Sequence, residues 1–148
     1  MSWQEQFNGD TLSWLLEPDE PGVSYLAMRD LLTLSADNSD LIAAQKLAHT
    51  QGPISRILDA MDERGYWVEA GPGYNPKYRS TAWAVIMLAQ LGASIAIDDR
   101  IERACRHLFE NALTENGQFS VSGTPSSTAD CLQGNLCAAM LDLGFDDP

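Results

Sequence analysis

Residues 71–81, Gly71-Pro72-Gly73-Tyr74-Asn75-Pro76-Lys77-Tyr78-Arg79-Ser80-Thr81, bring two cations, two phenols and two hydroxyls to the start of an apolar segment. If that segment is a helix, its free N–H groups and dipole favour an anion, and Lys77 and Arg79 add to the attraction. A carboxylate or diphosphate head group suits such a rim. Tyr74, Tyr78 and Trp83 would then offer aromatic faces to an apolar tail or a carbocation. The same residues also suit plain architecture: Ser80 or Thr81 capping the helix, and Arg79 pairing with one of 21 acidic side chains.

A second group lies 52 residues further on, where Cys131 corresponds to Arg79 and Asp130 to Tyr78. A thiol near a helix N-terminus acquires a lowered pKa and serves as a nucleophile or ligand, which makes Asp130 and Cys131 the candidate catalytic pair. The alternative is an Asp130 cap beside a packed Cys131. Gln133 and Asn135 bring amides to the same region, and a polar group in a buried helix needs a partner or a cavity. The candidate ligand-binding residues are thus Tyr74, Lys77, Tyr78, Arg79, Trp83, Gln133 and Asn135. With two histidines, no Ser/His/Asp order, no nucleotide-type Gly-rich loop and no paired carboxylates, nothing further suggests a catalytic machine. No cofactor is identified, and no metal site is assigned.

The elements that must position these groups come in two copies. Ile57, Met61, Gly65 and Trp67 recur as Phe109, Leu113, Gly117 and Phe119, and Leu91-Gly92 recurs as Leu143-Gly144, each 52 residues apart. A period of this size, with one helix before a Gly-x-aromatic turn and one after it, predicts stacked helical hairpins. Segment 98–113 is amphipathic, with Ile101, Ala104, Cys105, Leu108, Phe109, Ala112 and Leu113 on one stripe, Asp98 and Asp99 at its start, and Asn116-Gly117 after it. Segment 53–62 repeats the pattern on a smaller scale behind Pro53. Segments 81–91 and 136–143 are instead apolar on nearly every side and are expected to be covered all round, with Cys105 and Cys137 as small core residues. Helices are also expected at about 22–34 and 40–48. No segment alternates with period two, so a sheet is not expected.

Amphipathic and wholly apolar helices in alternation fit an inner ring of buried helices inside an outer ring, an all-α, α/α toroid of inner and outer helices. The segments Trp14-Leu15-Leu16-Glu17, Pro21-Gly22-Val23-Ser24-Tyr25-Leu26-Ala27-Met28-Arg29-Asp30-Leu31-Leu32, Tyr78-Arg79-Ser80-Thr81-Ala82-Trp83 and Cys131-Leu132-Gln133-Gly134-Asn135 resemble uncharacterised members of the squalene cyclase and prenyltransferase-like superfamily. The resemblance covers nearly the whole chain. It implies an α/α toroid that binds an apolar ligand, for example an isoprenoid, in a central cavity, and relatives about twice as long. The Gly-x-aromatic spacing is similar to the Gln-x-x-x-Gly-x-Trp element of squalene cyclases, with Met61 and Leu113 where Gln belongs. The cyclases' Asp-x-Asp-Asp acid is missing. Protein prenyltransferases hold zinc with Asp, Cys and His, but their Asp-x-Cys spacing differs from the adjacent Asp130-Cys131, and His49 and His107 map to peripheral helices. The competing function is a non-catalytic helical-repeat scaffold that binds a small molecule or protein segment.

At 148 residues, with 45% hydrophobic and 20% charged, the chain is read as one partial toroid domain, 1–148. Phe145-Asp146-Asp147-Pro148 looks like the start of another outer helix, which leaves the apolar helix at 130–143 without its outer partner and is expected to make that face sticky. The sequence is therefore expected to be the N-terminal part of a longer protein or to pair with a second copy. A net charge of −12 and the lack of a basic stripe weigh against nucleic acid. No apolar run approaches the roughly 18 residues of a membrane span, and Met1-Ser2-Trp3-Gln4-Glu5 has no signal-peptide pattern, so a cytoplasmic location is expected. Three cysteines without a metal-type spacing are expected to be reduced.

Overall fold

The computed structural model describes residues 6–146. The expectations placed on 1–5 and on Asp147-Pro148 lie outside the described residues. The protein is all-α: α1 (Thr11–Leu15), α2 (Pro21–Leu26, continued by a π turn Ala27–Leu31), α3 (Ser39–Thr50), α4 (Pro53–Asp59), α5 (Thr81–Gln90), α6 (Arg100–Ala112) and α7 (Asp130–Leu143). Among the described residues the only extended pairings are two isolated bridges, Leu113 with Phe119 and Ser120 with Thr128. No helix there is long and apolar enough to cross a membrane.

Two compact units divide the chain, Met1–Ser55 and Arg56–Pro148, the boundary falling within α4. In the first, α2 packs on α3 and buries Tyr25, Ala27, Leu41 and Ala48. Asn38 starts α3 by accepting from the amides of Asp40 and Leu41. The amide of Leu32 reaches back to the carbonyl of Ala27, widening the end of α2 into the π turn.

The second unit holds α5, α6 and α7. The aromatic turn at 62–67 closes with the Asp62 amide on the Tyr66 carbonyl and the Gly65 amide on the Asp62 carbonyl, both 2.9 Å. The turn at 114–119 closes the same way, Thr114 to Gln118 and Gly117 to Thr114, both 2.9 Å. The helices that follow also end alike. Gly92 and Gly144 are left-handed, and the next amides, of Ala93 and Phe145, reach back to Leu88 and Met140 at 3.0 and 2.9 Å.

The helix α5 packs along α7, and the Ile95 amide just beyond α5 donates to the Leu143 carbonyl at 2.9 Å. Both helices therefore finish at one end of the pair and start at the other. Against α5, α6 is amphipathic as expected. It buries Ile101, Ala104, Cys105, Leu108 and Ala112 and leaves Arg103, Arg106, Phe109, Glu110 and Asn111 to solvent. On α5 only Met87 and Gln90 are exposed.

α7 departs from expectation. It buries Leu132, Leu136, Ala139, Met140 and Leu143, but Cys131, Gly134, Asn135, Cys137, Ala138 and Leu141 are exposed. Its later part, 136–143, is apolar on nearly every side, yet among the described residues nothing is packed over this second side. Cys137 is consequently a surface thiol and not a core residue, whereas Cys105 is fully buried.

Candidate functional site

The loop before α5 is held down by its own polar groups. Ser80, wholly buried, does not cap the helix; its hydroxyl donates to the carbonyls of Gly73 and Pro76 at 2.7 and 3.0 Å. The Ala82 amide, one of the N–H groups expected to draw an anion, is already bonded to the Gly73 carbonyl at 2.9 Å. Thr81 does not cap either; its Oγ1 accepts from the Trp67 amide at 3.2 Å.

Above this base Tyr74, Tyr78 and Trp83 form one aromatic cluster. Their ring centroids are 5.3 Å apart for Tyr74 and Trp83, and 4.7 Å for Tyr78 and Trp83; the Trp83 indole N–H donates to the Tyr74 carbonyl at 2.8 Å. Lys77 sits with its ammonium 5.4 Å from the centre of the Tyr74 ring. Arg79 is exposed and makes no ion pair among the described residues. Tyr78 is 74% exposed and has a left-handed backbone, φ 65°. An L-residue other than Gly pays about 1–2 kcal/mol for that conformation, so the ring contact with Trp83 is held against a local cost.

The second predicted group lies at the start of α7. Asp130 is the first helical residue and not the cap, a position taken by Ala129, and Cys131 beside it is exposed and not packed. Gln133 is fully committed. Its Oε1 accepts from the Phe119 amide at 2.7 Å, and its Nε2 donates to the carbonyls of Phe119 and Ala129 at 2.6 and 3.2 Å. It stands fourteen residues after Phe119, as Thr81 does after Trp67, and satisfies the equivalent amide. Asn135 is exposed. Both groups lie at the starting ends of the paired helices, but no hydrogen bond, ion pair or ring contact joins them among the described residues. No cluster of metal-ligating side chains occurs there either.

The apolar helix expected to lack an outer partner carries an open apolar groove of about 200 Å³, lined by Phe109, Phe119, Cys137, Met140, Leu141 and Phe145. Phe109 stands edge-on to Phe119 at 6.0 Å and lies 5.8 Å from Phe145, which carries the Arg106 guanidinium at 5.7 Å over its face. Leu141 is 67% exposed and Phe109 40%.

The three thiols are chemically unequal. Burial pushes the Cys105 thiol up to about 12, assisted by the charge of Glu102, so at neutral pH it is a protonated core group. Cys131 and Cys137 face solvent.

Compared with known proteins, the chain matches no family model, no curated protein sequence and no solved structure.

Proposed function

We propose that this protein is a non-catalytic helical-repeat scaffold that binds an apolar partner in the groove on α6 and α7. The observation that carries the reading is the groove itself: three Phe side chains, Met140, Leu141 and Cys137 converge on one open surface with no carboxylate, amine or imidazole among them. Such a lining offers contact area, and its one reactive group, the Cys137 thiol, has no acid or base in the lining to act with it. Its volume of about 200 Å³ falls below the ~300–1,000 Å³ of pockets that enclose a whole small ligand, which favours a few inserted side chains over a buried molecule. The commitment of Gln133 to backbone groups and the exposure of Asp130 and Cys131 also fit a scaffold. The matched turn and helix-end bonds 52 residues apart support reading the second unit as repeated hairpins of the α/α toroid type.

The test is a binding titration with Nile red, a neutral apolar fluorophore. Saturable fluorescence enhancement is expected, lost in Leu141→Asp. Enhancement that is absent, or unchanged by that substitution, removes the groove as a binding site.

A second reading is favoured by the Tyr74, Tyr78 and Trp83 cluster with Lys77 and Arg79 beside it: an isoprenoid carrying an anionic head group, gripped by aromatic faces and cations. It is the activity class that the resemblance to squalene cyclase and prenyltransferase-like proteins implies. Farnesyl diphosphate binding that weakens in Arg79→Ala and is indifferent to Leu141→Asp would support it; no binding, or binding indifferent to Arg79→Ala, would remove it.

A further inference from the structure

We propose that the groove of Phe109, Phe119, Cys137, Met140, Leu141 and Phe145 receives an amphipathic helix with cationic flanks, presented by another polypeptide. The inference rests on the scaffold reading and specifies the partner.

The molecule already contains such a docking. Counted back by 52, the groove corresponds to Ile57, Trp67, Val85, Leu88, Ala89 and Ala93, of which Trp67, Val85, Leu88, Ala89 and Ala93 are buried. What lies on that first surface is α6. The Arg103 carbonyl sits where a side chain on Gly65 would begin, 2.6 Å from an ideal Cβ, and the Arg103 guanidinium donates to the Glu63 carbonyl at 3.2 Å. Arg100 pairs with Asp59 at 3.1 Å. His107 is bonded to the Gly71 carbonyl at 3.1 Å and stacks beside Tyr66 at 5.3 Å. Leu108 reaches the loop at Gly73, and the stripe of Ile101, Ala104, Cys105 and Leu108 is buried. An amphipathic helix over an aromatic turn and an apolar helix is thus the occupant that this surface is built for.

The second surface repeats the turn and the apolar helix, but Phe109, Cys137 and Leu141 stand exposed over a floor of buried Phe119, Met140 and Phe145. Its surroundings state the charge of the occupant. Glu110, Asp142 and Asp146 are exposed and adjoin the groove residues Phe109, Leu141 and Phe145 in sequence, and Glu115 is exposed on the second turn. The cation at the groove, Arg106, is bonded to Glu102 at 2.8 Å. On the first surface the docked helix likewise delivers cations, Arg100 to Asp59 and Arg103 to the Glu63 carbonyl. A second copy of this acidic chain, with a net charge of −12, fits the acidic rim poorly. The mode is helix-in-groove recognition, with anchors at i, i+3 or i+4, and i+7.

The probe is a fluorescein-labelled, end-blocked peptide with the sequence of residues 100–113 carrying Cys105→Ala, in which three arginines outnumber two glutamates, titrated with the full chain and read by fluorescence anisotropy. Saturable binding is expected. It should weaken about tenfold or more in Leu141→Asp, which places a carboxylate in the apolar contact, and stay unchanged in Met87→Asp, on exposed α5 surface. A peptide with Arg100, Arg103 and Arg106 all replaced by Glu should bind at least tenfold more weakly at low salt. The proposal is overturned if the peptide does not bind, if a scrambled peptide binds equally, or if Leu141→Asp makes no difference. It is also overturned if the wild type sediments as a dimer that Leu141→Asp converts to monomer, since a second copy would then be the occupant. Nile red bound at the groove without the peptide would defeat this inference and leave the scaffold reading standing; failure of both probes would defeat both.

Discussion

The surface over the 62–67 turn and α5 and the surface over the 114–119 turn and α7 share their hydrogen bonds and differ in their cover. Both turns close through the same two backbone bonds, both aromatic amides are satisfied by a side chain fourteen residues on, and both helices end on a left-handed glycine. Only the first carries α6. The comparison separates what the turn needs in order to exist, a local set of polar bonds, from what makes it a core, an apolar neighbour.

The largest effect should come from placing a carboxylate at matched positions of the two helices. Val85 is wholly buried and its counterpart Cys137 exposed. Val85→Asp is expected to destabilise by about 4 kcal/mol or more, enough to unfold a marginal domain, and Cys137→Asp by no more than about 0.5 kcal/mol. Urea unfolding measures both; equal losses would mean that the second surface is covered in solution.

Next come the turn glycines, which share a left-handed backbone, φ 87° at Gly65 and 72° at Gly117. A methyl on Gly65 meets the Arg103 carbonyl, whereas one on Gly117 meets nothing within 4 Å. Gly65→Ala should therefore cost about 3 kcal/mol and Gly117→Ala about 1 kcal/mol, the latter for the backbone alone. Similar shifts in thermal midpoint for the two would break the distinction.

Smaller, and expected to be alike on the two sides, are the losses from Thr81→Val and Gln133→Leu. Each strands an aromatic amide and should cost about 1–3 kcal/mol. A neutral outcome at Gln133 would show that water replaces its bonds on the open side. The smallest perturbation is chemical. With iodoacetamide at pH 8, Cys131 and Cys137 should be alkylated quickly, and Cys105, whose pKa of about 12 keeps it protonated, only as the protein unfolds. Mass spectrometry of the three peptides reads this directly, and fast labelling of Cys105 in the native protein would contradict its burial.

Much of the architecture was legible in the residues. The stripe of Ile101, Ala104, Cys105, Leu108 and Ala112 is the buried side of α6, with its expected member Phe109 exposed instead, Pro53 begins α4, and Leu91-Gly92 and Leu143-Gly144 close α5 and α7, because periodicity and punctuation are local signals. The open side of α7 was legible only as an apolar helix without an outer partner; the exposed places of Cys137 and Leu141 were not, since an apolar composition reports what a helix could bury and not which of its faces a neighbour covers. The polar groups were harder still. Ser80, Thr81 and Gln133 read as caps or ligands, but long-range bonds to Gly73, Trp67 and Phe119 absorb them. The spacing of 52 pairs Thr81 with Gln133 without revealing that a hydroxyl and an amide perform one task. The left-handed backbone of Tyr78 had no sequence signal, because the residue favours other conformations.

The Gln133 clamp links two events that are distant along the chain. The first turn of α7 has no side-chain cap, and beside buried Leu132 its polar anchorage to the rest of the unit is the paired bonds between the Gln133 amide and the Phe119 backbone. Phe119 is also part of the groove floor. Any ligand that requires Phe119 in its present place must, by thermodynamic linkage, disfavour the frayed form of that turn. Occupancy of the groove should thus be recorded as slower hydrogen exchange at the Phe119 amide, a signal internal to the protein that needs no label on the ligand.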